Sequence, residues 1–325
     1  MKAIICSGAS KPEDLRLVEK PSLSAGAGQV VIKVAAAGVN FGDSLIIKAE
    51  RPASMPQVFT PGYEVAGTIH ELGDGVVGFT IGDRVMAFCF TGGYAEEVAV
   101  EWRFVYPLPD AMDFPAAAGF LAVYGTAYYA LHERAHLQPE ESLLVLGAAG
   151  GAGLAAIEVG AAMGARVIAG ASSAAKLELC SAHGAVDIVN YAAEDLPARM
   201  LALTDSKGVD VLYDVWGHPG SDTLVPAMAN EGRYLIIGFA GGGAPKFNAS
   251  LLLYKEVAAI GVYWGQSLAA HPMRNRDNIA KLLDWYQDGK LKPSVSETDP
   301  LKDAARAMQR LLARDAKGKV VLITG

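Results

Sequence analysis

The chain is short of cysteine. Its 325 residues contain three, Cys6, Cys89 and Cys180, too few and too scattered for a disulfide framework or a metal cage. Positive charge is also short: 28 Lys and Arg against 35 Asp and Glu leave a net charge of −7. No basic cluster stands out, which argues against a nucleic-acid surface. Long apolar runs are missing. The stretch from Ala116 to Leu131 holds three tyrosines and two glycines and stops short of the ~20 residues of a membrane span. Met1 to Cys6 is too short for a secretory signal and reads as a strand. No internal repeat or low-complexity tract interrupts the chain. These absences point to a cytoplasmic protein working without disulfides, membrane or nucleic acid.

What is present has the composition of an enzyme: 51% hydrophobic residues, 36 glycines and 16 prolines, in a chain long enough for two cores. Up to about residue 120, short β-rich runs (Lys2–Cys6, Gln29–Ala36, Val65–Leu72, Arg84–Phe88, Ala95–Val100) alternate with glycine and proline turns, the pattern of an all-β module. From Phe114 onward, alanine-rich helices alternate with Leu143–Leu146, Arg166–Ala169, Asp187–Asn190, Val209–Asp214, Gly232–Ile237 and Val257–Val262. Six strands with intervening helices predict a doubly wound parallel sheet, so the fold class is α/β. Helix patterns at Asn278–Trp285 and Leu301–Leu312 precede a last strand, Lys319–Thr324, which suggests that the chain returns to its first domain. The expected boundaries are 1–121, 122–266 and a return over 267–325.

The organising stretch runs from Ser142 to Ile157: a short apolar run, the small residues Gly147-Ala148-Ala149-Gly150-Gly151-Ala152-Gly153, then an alanine-rich helix pattern. A strand, a phosphate-binding turn and a helix need that order, because a diphosphate must reach backbone N–H groups that a Cβ would shield. Set against Gly-x-Gly-x-x-Gly, the three positions are Ala148, Gly150 and Gly153. A tight strand–helix turn in any α/β domain also favours glycine, but Ala165–Gly170 reads as a second strand and completes a βαβ unit. Ala149, Gly150, Gly151 and Ala152 are therefore candidate cofactor-binding residues.

The end of that second strand chooses the cofactor. An NAD site places an acid there for the ribose 2′-hydroxyl. This chain has Ala171-Ser172-Ser173-Ala174-Ala175-Lys176, without an acid. Hydroxyls and an ammonium suit a 2′-phosphate, so Ser172, Ser173 and Lys176 favour NADPH. Capping of the next helix by either serine is compatible with that role. Phe239 and Ala240 follow the strand Tyr234–Ile237 and fall at the carboxyl edge of the sheet, where dinucleotides bind.

With these segments in place, the chain resembles the medium-chain dehydrogenase/reductase superfamily, in its zinc-independent NADPH:quinone oxidoreductase (zeta-crystallin-like) branch. The likeness covers nearly the whole chain. It is carried by Gly38-Val39-Asn40-Phe41-Gly42-Asp43, Pro61 to Gly67, Gly82-Asp83-Arg84-Val85, the glycine turn, Ile188-Val189-Asn190-Tyr191, Tyr213 to Gly217, Gly261 to Gly265 and Gly318 to Leu322. It implies a GroES-like, mainly β catalytic domain beside a Rossmann NADPH-binding domain. The alcohol dehydrogenase branch has Cys and His zinc ligands where this chain has Asn40 and Tyr63, and the segment from Val85 to Pro115 offers only Cys89 to a structural zinc. No metal is expected. Residues matching Asn40, Asp43, Tyr128 and Tyr191 line the cofactor or the cleft in the family, with Asn40 a donor to a carbonyl oxygen or the nicotinamide amide. A turn residue ahead of a helix is the lesser alternative for Asn40, and core packing an even one for Tyr128. Asn40, Asp43 and Tyr63 are the candidate catalytic residues; Thr126, Tyr128 and Lys319, the one strong cation of the last strand, join the cofactor set.

Reducing a quinone or an activated double bond needs no Lewis acid, because the acceptor delocalises the incoming charge. The leading expectation is an NADPH-dependent reductase of quinones or other conjugated carbonyls. A 2-enoyl acid or thioester reductase is the alternative within the fold, and a non-catalytic NADPH-binding structural or RNA-binding protein the alternative outside it. Some quinone reductases carry tyrosines where this chain has Leu45 and Arg51; Arg51 then faces an anionic acceptor or belongs to a solvated loop. Val257 to Trp264, apolar on both faces, should end the parallel sheet. The same strand of a second subunit is the simplest cover, so a homodimer is expected.

Overall fold

The computed structural model describes residues 1–7, 10–48, 56, 58–241, 243–313 and 317–324. The chain divides into two compact units: Met1–Ala122, Ser267–Ala280 and Pro293–Gly325 form one, Val123–Gln266 and Lys281–Lys292 the other.

The first unit is built on a long strand, Gln29–Val39, buried on both faces along most of its length, with Val30, Val31, Ile32 and Val34 all in the core. Among the described residues it belongs to a seven-stranded sheet in the order Val295–Pro300, Lys319–Ile323, Gln29–Val39, Glu64–Leu72, Arg84–Phe88, Val105–Pro107, with Glu97–Glu101 also pairing with the long strand. One edge of Gln29–Val39 is shared end to end. Its first half pairs with Glu97–Glu101, and its second half pairs antiparallel with the C-terminal strand, Val320 opposite Val39. The terminal strand lies in the first unit, while Lys281–Lys292, inside the expected return over 267–325, groups with the second. Lys2–Ser7 forms a smaller sheet with Arg16–Glu19 and Val58–Phe59. Four strands escaped the sequence pattern: Arg16–Glu19, Val58–Phe59 and Val105–Pro107, too brief to show alternation, and Val295–Pro300, whose residues are mostly polar.

The second unit holds a six-stranded parallel sheet in the order Asp187–Asn190, Arg166–Ala171, Ser142–Leu146, Val209–Asp214, Met228–Ile236, Ala258–Gly261. This is the doubly wound order, with all six expected strands present. Ser142–Leu146 is buried along its whole length, as a central strand covered on both faces must be. The reversal of strand order falls between Ser142–Leu146 and Val209–Asp214, which makes their carboxyl ends the crevice of the fold. Ala258–Gly261 is the outer strand, as expected, with Ala258, Ala259 and Gly261 exposed. No helix among the described residues is long and apolar enough to cross a membrane.

Candidate functional site

In the first unit the candidate residues converge on a buried carboxylate. Glu64 opens its strand at 0% exposure. Its Oε2 accepts from the Ala122 N–H at 2.8 Å and its Oε1 from the Asn40 amide nitrogen at 2.8 Å. The Lys319 ammonium, also buried, donates to that Oε1 and to the Asn40 Oδ1. An isolated carboxylate at this depth costs several kcal/mol, and a paired, fully hydrogen-bonded one is tolerated. Gly38 is part of the arrangement: a Cβ there would run into the Glu64 carboxylate and the Ala118 carbonyl oxygen.

Asn40 is the residue before the helix Phe41–Ile47 and has the extended backbone of a cap, so the turn reading accounts for its main chain. Its side chain makes no cap bond; the amide is spent on Glu64 and Lys319. Asp43 supplies the capping bond instead. Its Oδ2 accepts from the Asn40 N–H at 2.9 Å and from the Tyr94 hydroxyl at 2.9 Å. Its Oδ1 is buried with no hydrogen-bond partner among the described residues. Burial pushes the Asp43 carboxyl up to about 7, against the lowering effect of Tyr94, the Asn40 N–H and Lys319. A proton on Oδ1 leaves Oδ2 free to accept both donors. Burial likewise raises the Tyr94 hydroxyl, with Asp43 adding to it. Tyr63 is half-buried, its ring 5.2 Å from that of Phe88 and its hydroxyl 3.0 Å from where a Cβ on Gly42 would stand.

In the second unit the glycine turn divides its labour differently from the fingerprint alignment. Gly147, one residue ahead of the aligned Ala148, takes the left-handed conformation (φ 71°) that makes the turn tight; Ala148 is buried where no such conformation is needed. Gly153 lets the helix approach the strand, since a Cβ would lie 2.5 Å from the carbonyl oxygens of both Gly147 and Ala148. Gly150 precedes the helix Gly151–Ala162, and a Cβ there would meet only the Gly147 oxygen, at 3.7 Å. The protein has no packing use for that glycine. It leaves an open cradle beside Ala149, Gly151 and Ala152, where the first helical N–H groups have no acceptor within the helix.

Around the cradle stand the other strand ends. Ser172 and Ser173 are exposed directly after Arg166–Ala171, and Lys176 lies one turn into the next helix. Ser173 starts that helix, yet its hydroxyl makes no capping bond. Tyr191 follows Asp187–Asn190 and stacks on Trp216. Asp214, which ends Val209–Asp214, is buried, and its carboxylate accepts from the N–H groups of Trp216, Gly217 and His218 and from the Tyr234 hydroxyl, all within 3.0 Å. One side chain thus folds the whole 215–218 loop. Phe239 is exposed and Ala240 partly so, the Ala240 N–H reaching the Val215 oxygen at 3.3 Å. Thr126 is partly exposed on the helix Leu121–Tyr128. Tyr128 is buried against Trp285 and His132, with ring centroids 5.6 and 4.9 Å away, which is the packing alternative. Arg51 lies outside the described residues.

Glu64, Tyr94, Asp214 and Trp216 carry the geometry without having been singled out as functional. Glu64 had a legible signal, a lone acid opening an apolar strand that needs a cation, and Lys319 is the matching lone cation. Among the described residues no three His, Cys, Asp or Glu side chains are grouped to hold a metal ion.

The Asp43 carboxyl sets a pH dependence of stability. Between about pH 4, where it ionises in the unfolded chain, and about pH 7, where it ionises in the folded one, the folded state holds the extra proton. Its contribution is complete below that window and is lost as pH rises through it, with a slope of up to about 1.4 kcal/mol per pH unit. Asp43→Asn imitates the protonated form and should abolish that component. Urea unfolding of both proteins from pH 5 to 8 checks this; a constant difference between them across the range contradicts it.

Two family descriptions match the chain: "Alcohol dehydrogenase GroES-like domain" over residues 26–110 and "Zinc-binding dehydrogenase" over residues 151–287. A Nematostella vectensis protein named quinone oxidoreductase-like protein 2 homolog is 35% identical over 331 residues, covering 99% of this chain and 89% of that protein. The Pseudomonas syringae quinone oxidoreductase structure superposes with a TM-score of 0.93 at 32% identity, over 99% of each chain. The Escherichia coli quinone oxidoreductase, solved in complex with NADPH, gives 0.92 at 27% identity over 100% of both chains. The chain belongs to the medium-chain dehydrogenase/reductase superfamily, alongside its quinone oxidoreductase-like members.

Proposed function

We propose that this protein is an NADPH-dependent reductase delivering a hydride to a quinone or another conjugated carbonyl without a metal. The observation that carries the reading is the Gly150 cradle at a helix start, beside a strand end that has two exposed hydroxyls and an ammonium in place of an acid. The NADPH complex of the similar Escherichia coli enzyme supports the same choice.

Backbone N–H groups of the Ala149–Ala152 segment bind the diphosphate, and Ser172, Ser173 and Lys176 bind the 2′-phosphate. Thr126, Tyr191, Phe239 and Ala240 complete the contacts. Tyr128, Asn40 and Lys319 are mostly buried, so their part in the cofactor set is through the few atoms they expose and the neighbours they hold. Bound NADPH supplies the hydride. Of the three candidate catalytic residues, Tyr63 alone is partly exposed, and it offers the acceptor oxygen a polar contact; Asn40 and Asp43 are positioning residues. The donor set does not suit zinc. Asn40 and Tyr63 stand where the alcohol dehydrogenase branch has ligands, and the Lys319 ammonium already lies against Asn40 and Glu64. The unbridged thiols of Cys6, Cys89 and Cys180 suit the reducing cytoplasm.

Calorimetric titration should show NADPH binding far more tightly than NADH, and Lys176→Ala should erase about tenfold or more of that preference, the worth of one charge-assisted contact. Equal affinity for the two in the parent protein overturns the assignment, and failure to oxidise NADPH with any member of a quinone panel overturns the reaction.

The proposed assembly is a homodimer through the outer strand. Among the described residues Ala258–Gly261 pairs on one side only and carries no charge, and Leu253, Tyr254 and Tyr263 beside it in sequence are 73%, 80% and 73% exposed. An antiparallel pairing of two copies across a two-fold axis satisfies both edges. Light scattering at micromolar concentration should report a dimer, and Ile260→Pro, which removes a ladder donor, should shift it toward monomer. A monomeric parent contradicts the assembly.

A further inference from the structure

Glu158 is a lone acid in an otherwise apolar helix. Gly151–Ala162 is buried from Gly153 to Gly160, and Glu158 is 3% exposed within that run. A carboxylate at this depth is costly unless donors meet both of its oxygens. Here they do. Oε2 accepts from the Tyr124 hydroxyl and from the Lys292 N–H, each at 2.7 Å, and Oε1 is bonded to the His183 Nδ1. A carboxylate only accepts, so that Nδ1 carries a proton. The Tyr124 hydroxyl stays a donor, because burial raises its pKa and Glu158 adds to the rise. None of these four residues belongs to the proposed cofactor or catalytic set.

The His183 bond joins two helices that begin at the two phosphate-binding segments. Gly151–Ala162 leads from Ser142–Leu146 to Arg166–Ala171, and Ala174–Ala182 leads from there to Asp187–Asn190. Both connections step the same way across the parallel sheet, so right-handed crossovers lay both helices on one face, side by side. One helix starts at the Gly150 cradle; the other starts at Ser173, carries Lys176 in its first turn and ends at His183. Glu158 lies seven residues beyond Gly151, and His183 seven beyond Lys176. The bond therefore sits about 10 Å along each helix from its phosphate-binding end. The helices close together there: a Cβ on Gly184 would stand 3.5 Å from the Ala161 Cβ.

Small side chains leave Gly151–Ala162 with little to interlock. Ala155, Ala156 and Gly160 are buried, and Gly160 lies so near Leu143 that a Cβ would clash. Apolar burial of this kind holds the helix down but is non-directional, whereas a hydrogen bond fixes position along the axis. Resting on the NADPH reading, we propose that Glu158, through His183, is a positioning residue that sets the register of the two helices, and with it the spacing between the diphosphate cradle and the 2′-phosphate residues. NADPH spans both and needs that spacing; NADH uses only the first. Glu158 thus contributes to the choice of cofactor without touching it.

The measurement is the ratio of NADPH to NADH affinity, by calorimetric titration. Glu158→Ala and His183→Ala cut the bond from either side. Each should lower the ratio by about three- to tenfold, up to the worth of the Lys176 contact, with NADH affinity held within twofold. Glu158→Gln should keep the parent ratio: its oxygen still accepts from Tyr124 and Lys292, and its amide donates to an Nδ1 whose proton has moved to Nε2. In a Lys176→Ala background, Glu158→Ala should lower the ratio less than in the parent, because part of what it positions is gone. His183→Ala leaves Glu158 with two donors and decides the matter should Glu158→Ala not fold. If the parent prefers NADPH but His183→Ala stays within twofold of its ratio, this inference fails and the reductase reading stands. Equal weakening of both cofactors, the mark of a merely structural role, also overturns it. So does a Glu158→Gln that loses the preference, or full additivity with Lys176→Ala. A parent that binds the two cofactors equally brings down the NADPH reading and this inference together.

Discussion

Burying the Glu64 carboxylate is the commitment on which the first unit depends. A charge with no exposure must be met by an opposite charge and by donors on its remaining lone pairs. The opposite charge comes from Lys319, 255 residues away, and so the C-terminal strand has to return and pair with Gln29–Val39. Topology here follows from electrostatics: without that return the carboxylate would lack its cation. Asn40 is then fixed from both sides, its oxygen by the ammonium and its nitrogen by the carboxylate, and the helix it precedes is capped by Asp43 in its place. In the proposed reaction the positive charge beside these residues belongs to the chain.

The second unit solves a related problem with dipoles. Asp214 is buried like Glu64, but among the described residues three backbone N–H groups and one hydroxyl satisfy it in place of a cation. Those bonds fold the 215–218 loop over the carboxyl edge of the sheet, which sets Trp216 beside the Gly147 turn and across from Tyr191. Three of the four glycines of that turn do separate work: Gly147 bends the chain, Gly153 brings the helix close, and Gly150 leaves room. Only the last has no structural use, and that is what makes it informative.

Features set by local pattern were legible in the sequence. The six parallel strands, the turn, the acid-free end of the second strand and the outer position of Ala258–Gly261 all follow from apolar runs and small residues. Features set by distant pairing were not. Glu64 and Lys319 each stand out in their own strand, but nothing local joins the one to the other, and the Tyr191–Trp216 stack crosses two intervening strands. Asn40 shows the limit within a single residue: its cap-like backbone follows from its place before a helix, while the use of its side chain depends on the far end of the chain. In the glycine fingerprint the tight turn falls on Gly147, one residue ahead of the aligned Ala148, because the sequence shows which residues are glycine and not which of them takes a positive φ.

The central proposal is that the reductase works without a metal, on a nucleotide held by the backbone of the glycine turn. The direct measurement is turnover of NADPH with a naphthoquinone, followed at 340 nm, on protein dialysed exhaustively against a strong chelator and checked for zinc by elemental analysis. Turnover equal to that of the untreated protein, with zinc well below stoichiometric, is the predicted result. Loss of turnover on chelation, restored by adding one equivalent of zinc, would contradict it.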